Sequence, residues 1–103
     1  MSTEYTQARF LRCIGEPTRL RILKLLAGGE KCVCEIMADL DREQSLVSHH
    51  LKALRECNIV SSRQEAQKVF YRMSDPNLGT LVMAIDSVMA KLPACCAERS
   101  AHG

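Results

Sequence analysis

The sequence contains no tryptophan, and its other aromatic residues are limited to two tyrosines and two phenylalanines. Because 47% of the residues are nonetheless hydrophobic, the core must be built from aliphatic side chains, which suits small packed helices. No stretch approaches the roughly 18 consecutive apolar residues of a membrane span, and the first ten residues lack the apolar region of a signal peptide. We therefore expect no membrane partner and a cytoplasmic location.

A strong overall charge is also lacking, because the net charge is only +2. Global charge is therefore only a weak indication of a nucleic-acid partner. The local balance is more informative, since residues 42–72 carry six basic and three acidic side chains, a net of +3, which leaves −1 for the rest of the chain. A length of 103 residues suits one domain.

The hydrophobic pattern is helical along most of the chain and alternates in only one region. It predicts helices over residues 4–14, 17–27, 30–40, 44–58 and 76–92, and strands over residues 59–63 and 68–73. Residues 64–67 would join the two strands as a hairpin. The predicted fold class is mainly α with a β-hairpin, in the order of four helices, two strands and a last helix.

The helix predicted from Gln44 separates apolar from polar side chains. One face carries Val47, His50, Leu51 and Leu54, with Cys57 expected in the core at its end. The other face is short of acids, and we predict that it reads base edges or adjacent phosphates through Gln44, Ser45, Ser48 and His49. A short helix and a turn precede this helix, and a hairpin follows it, as in a winged helix-turn-helix. Backbone phosphates are then predicted to meet Lys52 on the helix and Arg63 and Lys68 on the hairpin, the wing.

Six cysteines in a reducing compartment favour metal ligation or redox chemistry over a disulfide framework. The sharpest motif is Cys32-Val33-Cys34, at the start of the predicted third helix. On a regular helix these side chains point about 200° apart, whereas a soft ion bound by both needs sulfurs about 4 Å apart. We therefore expect binding to unwind or bend the start of this helix. Lys31 and the helix N-terminus should favour thiolates, which select soft ions.

The cysteines near the end of the chain and the methionines of the last helix have less definite roles. Cys95 and Cys96, on the tail formed by residues 93–103, could supply a further sulfur or could be inert. Met83 and Met89 are expected in the core of the last helix.

Three segments, Glu16–Leu23, Cys32–Glu35 and Val47–Leu54, give the chain a close resemblance to the ArsR/SmtB family of metal-sensing repressors. The resemblance covers roughly residues 8–90. It implies a homodimeric winged helix-turn-helix, paired through its first and last helices, that represses a resistance operon by binding operator DNA. It also implies release from DNA when a metal or metalloid binds. Residues 1–92 would form this DNA-binding and dimerisation domain.

The resemblance also bears on the ligands of the thiol site. Arsenic-sensing members have a third cysteine three residues after the second, where this chain has Met37. In cadmium- and lead-sensing members an N-terminal cysteine completes the pair, which makes Cys13 a candidate, although it could equally be a small buried hydrophobe. The zinc- and nickel-sensing site needs histidines on the last helix, where this chain has Asp86 but no histidine. Two departures affect the wing region: Asn58 and the Glu65–Gln67 turn stand where members usually have glycine.

The sequence therefore predicts a repressor without a permanent cofactor and without enzymatic activity. Its inducer would be arsenite or antimonite, or a soft divalent ion such as Cd or Pb, bound by Cys32 and Cys34 with a further sulfur. The alternative is a repressor of the same fold that senses oxidants or persulfide through a cysteine pair such as Cys34 and Cys95. An enzyme is disfavoured because the chain has no Cys-x-x-Cys motif.

Overall fold

The structure is a computed structural model that describes residues 2–92. It contains five helices and three strands. The helices are α1 (Thr3–Ile14), α2 (Pro17–Leu26), α3 (Val33–Leu40), α4 (Gln44–Glu56) and α5 (Pro76–Met89), and the strands are β1 (Lys31–Cys32), β2 (Val60–Glu65) and β3 (Lys68–Met73). The predicted class, mainly α with a β-hairpin, is confirmed, and the order of the seven predicted elements is as expected.

The helix boundaries follow from local chemistry. Proline opens both α2 and α5, where its missing N–H costs no hydrogen bond. The preceding acidic residues act as caps: Glu16 Oε1 accepts from the Arg19 amide at 2.9 Å, and Asp75 Oδ1 accepts from the Asn77 amide at 2.8 Å. At the end of α4, Asn58 adopts a left-handed conformation with φ 62°, which asparagine accepts where a helix ends and where family members usually have glycine.

Strand β1 was not predicted, because the stretch from Glu30 has the apolar spacing of a helix and was assigned to one. The sheet is instead three-stranded and antiparallel in the order β1-β3-β2. Lys31 lies opposite Tyr71 and Cys32 opposite Phe70, while β2 and β3 pair from Val60 opposite Met73 to Glu65 opposite Lys68. The wing turn is therefore only Ala66 and Gln67, shorter than the predicted loop.

The core lies between α2, α3, α4 and the base of the sheet. Its fully buried side chains are mostly aliphatic, as expected: Ile22, Leu23, Ile36, Val47, Leu51, Leu54, Ile59, Val60 and Val82. Three expectations were wrong, since Cys57, Met83 and Met89 are exposed rather than in the core. Cys57 follows the last helical residue of α4 and so lies beyond the buried face.

Helix α5 ends at Met89, three residues before the predicted end. Of its apolar residues only Val82 is buried in the protomer. Large apolar side chains on α1, on α5 and just beyond α5 are instead about half exposed: Tyr5, Leu11, Met83, Val88, Met89 and Leu92. Within residues 2–92, no helix is both long enough and apolar enough to cross a membrane.

Candidate thiol site beside a nucleic-acid interface

Helix α4 presents the polar face that the sequence predicted. Val47, His50, Leu51 and Leu54 are buried. The side chains predicted to contact DNA from this helix are all exposed: Gln44, Ser45, Ser48, His49 and Lys52. At the N-terminus of α4, the Glu43 side chain makes no capping hydrogen bond, so it does not occupy the first-turn N–H groups.

His50 is held inward by a polar network between three helices. Arg19 Nε donates to His50 Nδ1 at 3.0 Å, and Arg19 Nη1 donates to the Cys13 carbonyl at 3.0 Å. His50 Nε2 lies 3.8 Å from Glu16 Oε2. Burial lowers the pKa of His50, against the opposing effect of Glu16. His50 is thus a neutral, hydrogen-bonded residue on the buried face of α4.

The wing positions two predicted phosphate contacts differently. Lys68 is exposed at the start of β3. Arg63 is instead bound by Glu30, at 2.7 and 2.9 Å, and by Glu65, and its guanidinium lies 4.7 Å from the centre of the Phe70 ring. The hydrogen bond from Arg63 also lowers the pKa of Glu30. Contact between Arg63 and a phosphate stays a prediction. The phosphate would have to compete with the carboxylates of Glu30 and Glu65 for the guanidinium.

Cys32 and Cys34 lie at the junction between β1 and α3, and their sulfurs are joined as a disulfide. Cys32 is the N-cap of α3 with an extended backbone, and only Cys34 is within the helix. The premise that both residues lie on a regular helix was therefore wrong. Because the helix begins after Cys32, the two sulfurs meet without any unwinding of α3.

The sulfur of Cys32 also caps α3. The Glu35 amide donates to Cys32 Sγ at 3.4 Å, and the Cys32 amide donates to Glu35 Oε1 at 2.9 Å, which completes a capping box. A reduced Cys32 would thus place a thiolate at the positive end of a helix, where negative charge is stabilised. The spacing of Cys32 and Glu35 is the capping-box spacing with cysteine in place of serine. That signal could have revealed the true start of the helix.

The thiol pair opens onto a cavity of about 360 Å³ between the start of α4 and the wing. Lining residues include Cys32, Cys34, Gln44, Ser48 and Lys68. Cys32 is buried and Cys34 is exposed. The structure therefore brings together the two most strongly predicted metal ligands and three of the predicted DNA contacts around one space.

Among the residues that the structure describes, no third ligand lies beside this pair. Among residues 2–92, no group of three or more histidine, cysteine, aspartate or glutamate side chains is placed to hold a metal ion. Cys13 is buried against α4, where its thiol donates to the Ala53 carbonyl at 3.8 Å. Cys95 and Cys96 lie outside the described residues, so their roles stay predictions.

A helix-turn-helix of α3 and α4, followed by the β2–β3 hairpin and flanked by helices, defines a winged helix-turn-helix DNA-binding protein. The model of the family described as "Bacterial regulatory protein, arsR family" matches residues 16–62. The chain belongs to the ArsR/SmtB family. It is accordingly a DNA-binding transcriptional regulator and not an enzyme.

Two relatives and one solved structure illustrate the similarity. An uncharacterized HTH-type transcriptional regulator of Methanocaldococcus jannaschii is 39% identical over 82 residues, which cover 79% of this chain and 92% of the relative. A protein of Streptomyces lividans named "Probable mercury resistance operon repressor" is 35% identical over 101 residues, covering 95% and 81% of the two chains. The homodimeric winged helix-turn-helix domain of a Mycobacterium bovis protein, solved by NMR, has a TM-score of 0.76 and 26% identity, covering 88% and 89%.

Proposed function

We propose that this protein is a homodimeric repressor of a metal or metalloid resistance operon, released from its operator when a thiophilic ion binds Cys32 and Cys34. Arsenite or antimonite, Cd and Pb are the inducers that the sequence favours, and the Streptomyces lividans relative adds Hg to the ions worth testing. The observation that carries the proposal is the shared cavity: the thiol pair and the DNA-facing side chains of α4 and the wing line the same space.

The DNA-binding part of the proposal follows from exposure and charge. The first turns of α4 offer an amide, hydroxyls and an imidazole to base edges. Lys52 and Lys68 are exposed, and neither has an ion-pair partner among the described residues, so both are available to phosphates. A protein that neutralises phosphates in this way binds DNA with an affinity that falls as salt rises.

Release would follow from the position of the sulfurs. An ion held by Cys32 and Cys34 adds volume and charge to a cavity that Gln44, Ser48 and Lys68 also line. We infer that these side chains rearrange around the bound ion and its remaining ligands, and that the rearrangement weakens their contacts with the operator. The metal selectivity comes from the two sulfurs themselves, because thiolates prefer soft ions over Mg²⁺ or Ca²⁺.

The sheet gives a second connection between the thiols and the wing. Cys32 pairs with Phe70 of β3, so any movement at Cys32 is passed directly to a wing strand. Glu30, two residues earlier, binds Arg63 of the other wing strand. Ion binding at the start of α3 would therefore shift the wing as well as add charge to the cavity.

Dimerisation is supported by the apolar side chains left exposed on α1 and α5. Exposed apolar clusters of this kind mark interaction surfaces. Leu11 and Val88 are 54% and 53% exposed, and the Mycobacterium bovis domain of the same fold is homodimeric. We expect Val88→Glu to shift the protein from dimer to monomer in sedimentation velocity, whereas the exposed-site control Ser87→Glu should leave the dimer intact.

The function is tested by fluorescence anisotropy with a labelled duplex selected by the protein from random-sequence DNA. Arsenite, antimonite, Cd, Pb and Hg are titrated into the reduced complex, and the Cys32→Ser/Cys34→Ser variant is run beside the wild type. We expect at least one ion to release the wild type while the variant stays bound. Release of both proteins by the same ion would place the inducer site elsewhere. Cys13→Ser and Cys95→Ser/Cys96→Ser then identify the source of a third sulfur.

A redox input is the second candidate, favoured by the joined sulfurs of Cys32 and Cys34. In this version oxidation to the disulfide, rather than an ion, changes the cavity. The same assay separates the two, because hydrogen peroxide would release the wild type and dithiothreitol would restore binding. If the complex persisted in peroxide but was released by an ion, the redox candidate would be excluded and the metal ion would remain as the input.

A further inference from the structure

A second pair of thiols lies where α1 meets the end of the recognition helix α4. Cys13 is 7% exposed near the end of α1, whereas Cys57, which caps α4, is exposed. Both converge on the carbonyl of Ala53: the Cys13 thiol donates to it at 3.8 Å, and the Cys57 amide donates to it at 3.1 Å. The Cys57 side chain is also close enough to the Cys13 thiol to raise its pKa. The two sulfurs are thus neighbours across a helix–helix contact.

Arg19 places positive charge against this pair. Its Nη1 lies 3.8 Å from Cys13 Sγ and 3.0 Å from the Cys13 carbonyl, and its Nε is held by His50. The guanidinium is therefore fixed in place, and it stabilises negative charge that develops on sulfur. Burial, followed by the nearby Cys57 side chain, raises the pKa of Cys13 to about 11. Cys13 is accordingly a protonated thiol at neutral pH, and Cys57 is the member that meets solutes first.

We propose that Cys13 and Cys57 form a reversible disulfide between α1 and α4 in response to hydroperoxides. Cys57 sulfur attacks one peroxide oxygen, the O–O bond breaks, and Cys57 becomes a sulfenic acid as water or an alcohol leaves. Cys13 sulfur then attacks Cys57 sulfur, and the S–S bond forms as the S–O bond breaks. The departing hydroxide takes the Cys13 proton and leaves as water. Two thiols lose two electrons, and the peroxide gains them.

The geometry favours the second step over further oxidation of Cys57. Because the sulfurs are already neighbours, attack by Cys13 is intramolecular, and this high effective concentration offsets its small thiolate fraction. The product would fix the C-terminal end of the recognition helix to α1. Oxidation would thus act on the helix that is predicted to read DNA through a disulfide that does not involve Cys32 or Cys34.

The first test treats the reduced full-length protein with hydrogen peroxide, blocks remaining thiols with N-ethylmaleimide, and digests with trypsin. Cleavage after arginine places Cys13 in residues 13–19 and Cys57 in residues 56–63, separate from residues 32–42, which carry the other pair. We expect the first two peptides to be recovered joined, and separate after dithiothreitol. Recovery of both as maleimide adducts, or of Cys57 as an unlinked sulfinic acid, would overturn the proposal.

A second test does not depend on digestion. In a full-length variant with serine at positions 32, 34, 95 and 96, only Cys13 and Cys57 remain. We expect peroxide to remove both titratable thiols and to raise the melting temperature, with both effects reversed by dithiothreitol. The same variant with Cys57→Ser should show neither effect. Thiol loss accompanied by a dimer band on a non-reducing gel would mean that the link joins two chains, and this would overturn the α1–α4 assignment.

Discussion

The Cys32–Cys34 pair and the Cys13–Cys57 pair each bring two cysteine sulfurs together, but in different surroundings. The first lies at the open junction of β1 and α3, facing a cavity that three of the predicted DNA contacts, Gln44, Ser48 and Lys68, also line. The second lies in a helix contact where Arg19 and His50 complete a network of buried hydrogen bonds. The difference teaches that recognition and stability are assigned to separate regions. Changes around the first pair should act directly on DNA binding, whereas changes around the second should act on folding stability and should reach DNA binding only through α4.

The largest effect on stability is expected from Arg19→Ala. This change removes the donor to His50 Nδ1 and to the Cys13 carbonyl, so two acceptors between α1 and α4 lose a charged partner. The loss should cost about 2–3 kcal/mol of unfolding free energy, measured by urea denaturation. The control is Arg21→Ala, whose ion pair with Asp39 is exposed at 3.5 Å. That control should cost less than about 0.5 kcal/mol, and equal losses would contradict the assigned role of the network.

Lys68→Ala should have the largest effect on recognition among single lysine changes on the wing. Lys68 lines the thiol cavity and is exposed, and its loss should remove the one phosphate contact that we predict for it. Affinity should fall about equally for all DNA sequences, and the slope of log affinity against log salt should flatten by about one. Lys24→Ala is the matched control, because Lys24 pairs with Asp86 at 3.0 Å outside this cavity. An altered sequence preference in Lys68→Ala would show that the wing reads bases.

The pH dependence of stability should report the second region. Burial lowers the folded-state pKa of His50, so the unfolded chain binds the proton more readily. The contribution of His50 is therefore fully present above its ordinary pKa of about 6.5 and is lost as pH falls from there through the folded-state value. The His50→Asn variant keeps an acceptor near the position of Nδ1 but does not titrate, so it should not show this part of the loss of stability at low pH. The melting temperatures of the wild type and the variant are measured between pH 7.5 and pH 5. If they fell in parallel, protonation of His50 would not be a cause of the lost stability.

The smallest effect is expected at the tip of the wing. Ala66 has a φ of 57°, a left-handed conformation that costs a residue with a Cβ about 1 kcal/mol. Ala66→Gly should therefore stabilise the protein by up to about 1 kcal/mol, less the added entropy of the unfolded chain. Gln67→Gly, at a turn position without positive φ, should bring no gain. Thermal unfolding of the two variants side by side measures the difference.

Much of this arrangement could be predicted from the sequence, because long periodic segments determine their own structure. The amphipathic pattern around Val47 and Leu54 specified α4 and its polar face, and Pro17 and Pro76 marked two helix starts. The two-residue strand β1 could not be found in this way, because it is defined by pairing with Phe70 and Tyr71 far along the chain. That pairing is also what moves Cys32 out of the helix.

The candidate site was predictable in its chemistry but not in its partners. The Cys-x-Cys motif identified the thiols, yet nothing local indicates that Arg63 is occupied by Glu30, 33 residues away. Cys57 was assigned to the core because it continues the apolar face of α4. The helix ends one residue too early for that, and only the tertiary structure shows that Cys13 lies beside it.

The central claim, that the Cys32–Cys34 pair and the operator share one cavity, is tested most directly by alkylation. The reduced protein is treated with iodoacetamide with and without a saturating operator duplex, and modification is followed by mass spectrometry. Cys34 should react at least about tenfold more slowly when DNA is bound, while the exposed Cys57 in the same molecule should react at an unchanged rate. Equal rates at Cys34 with and without DNA would contradict the claim, because the cavity would then remain open in the complex.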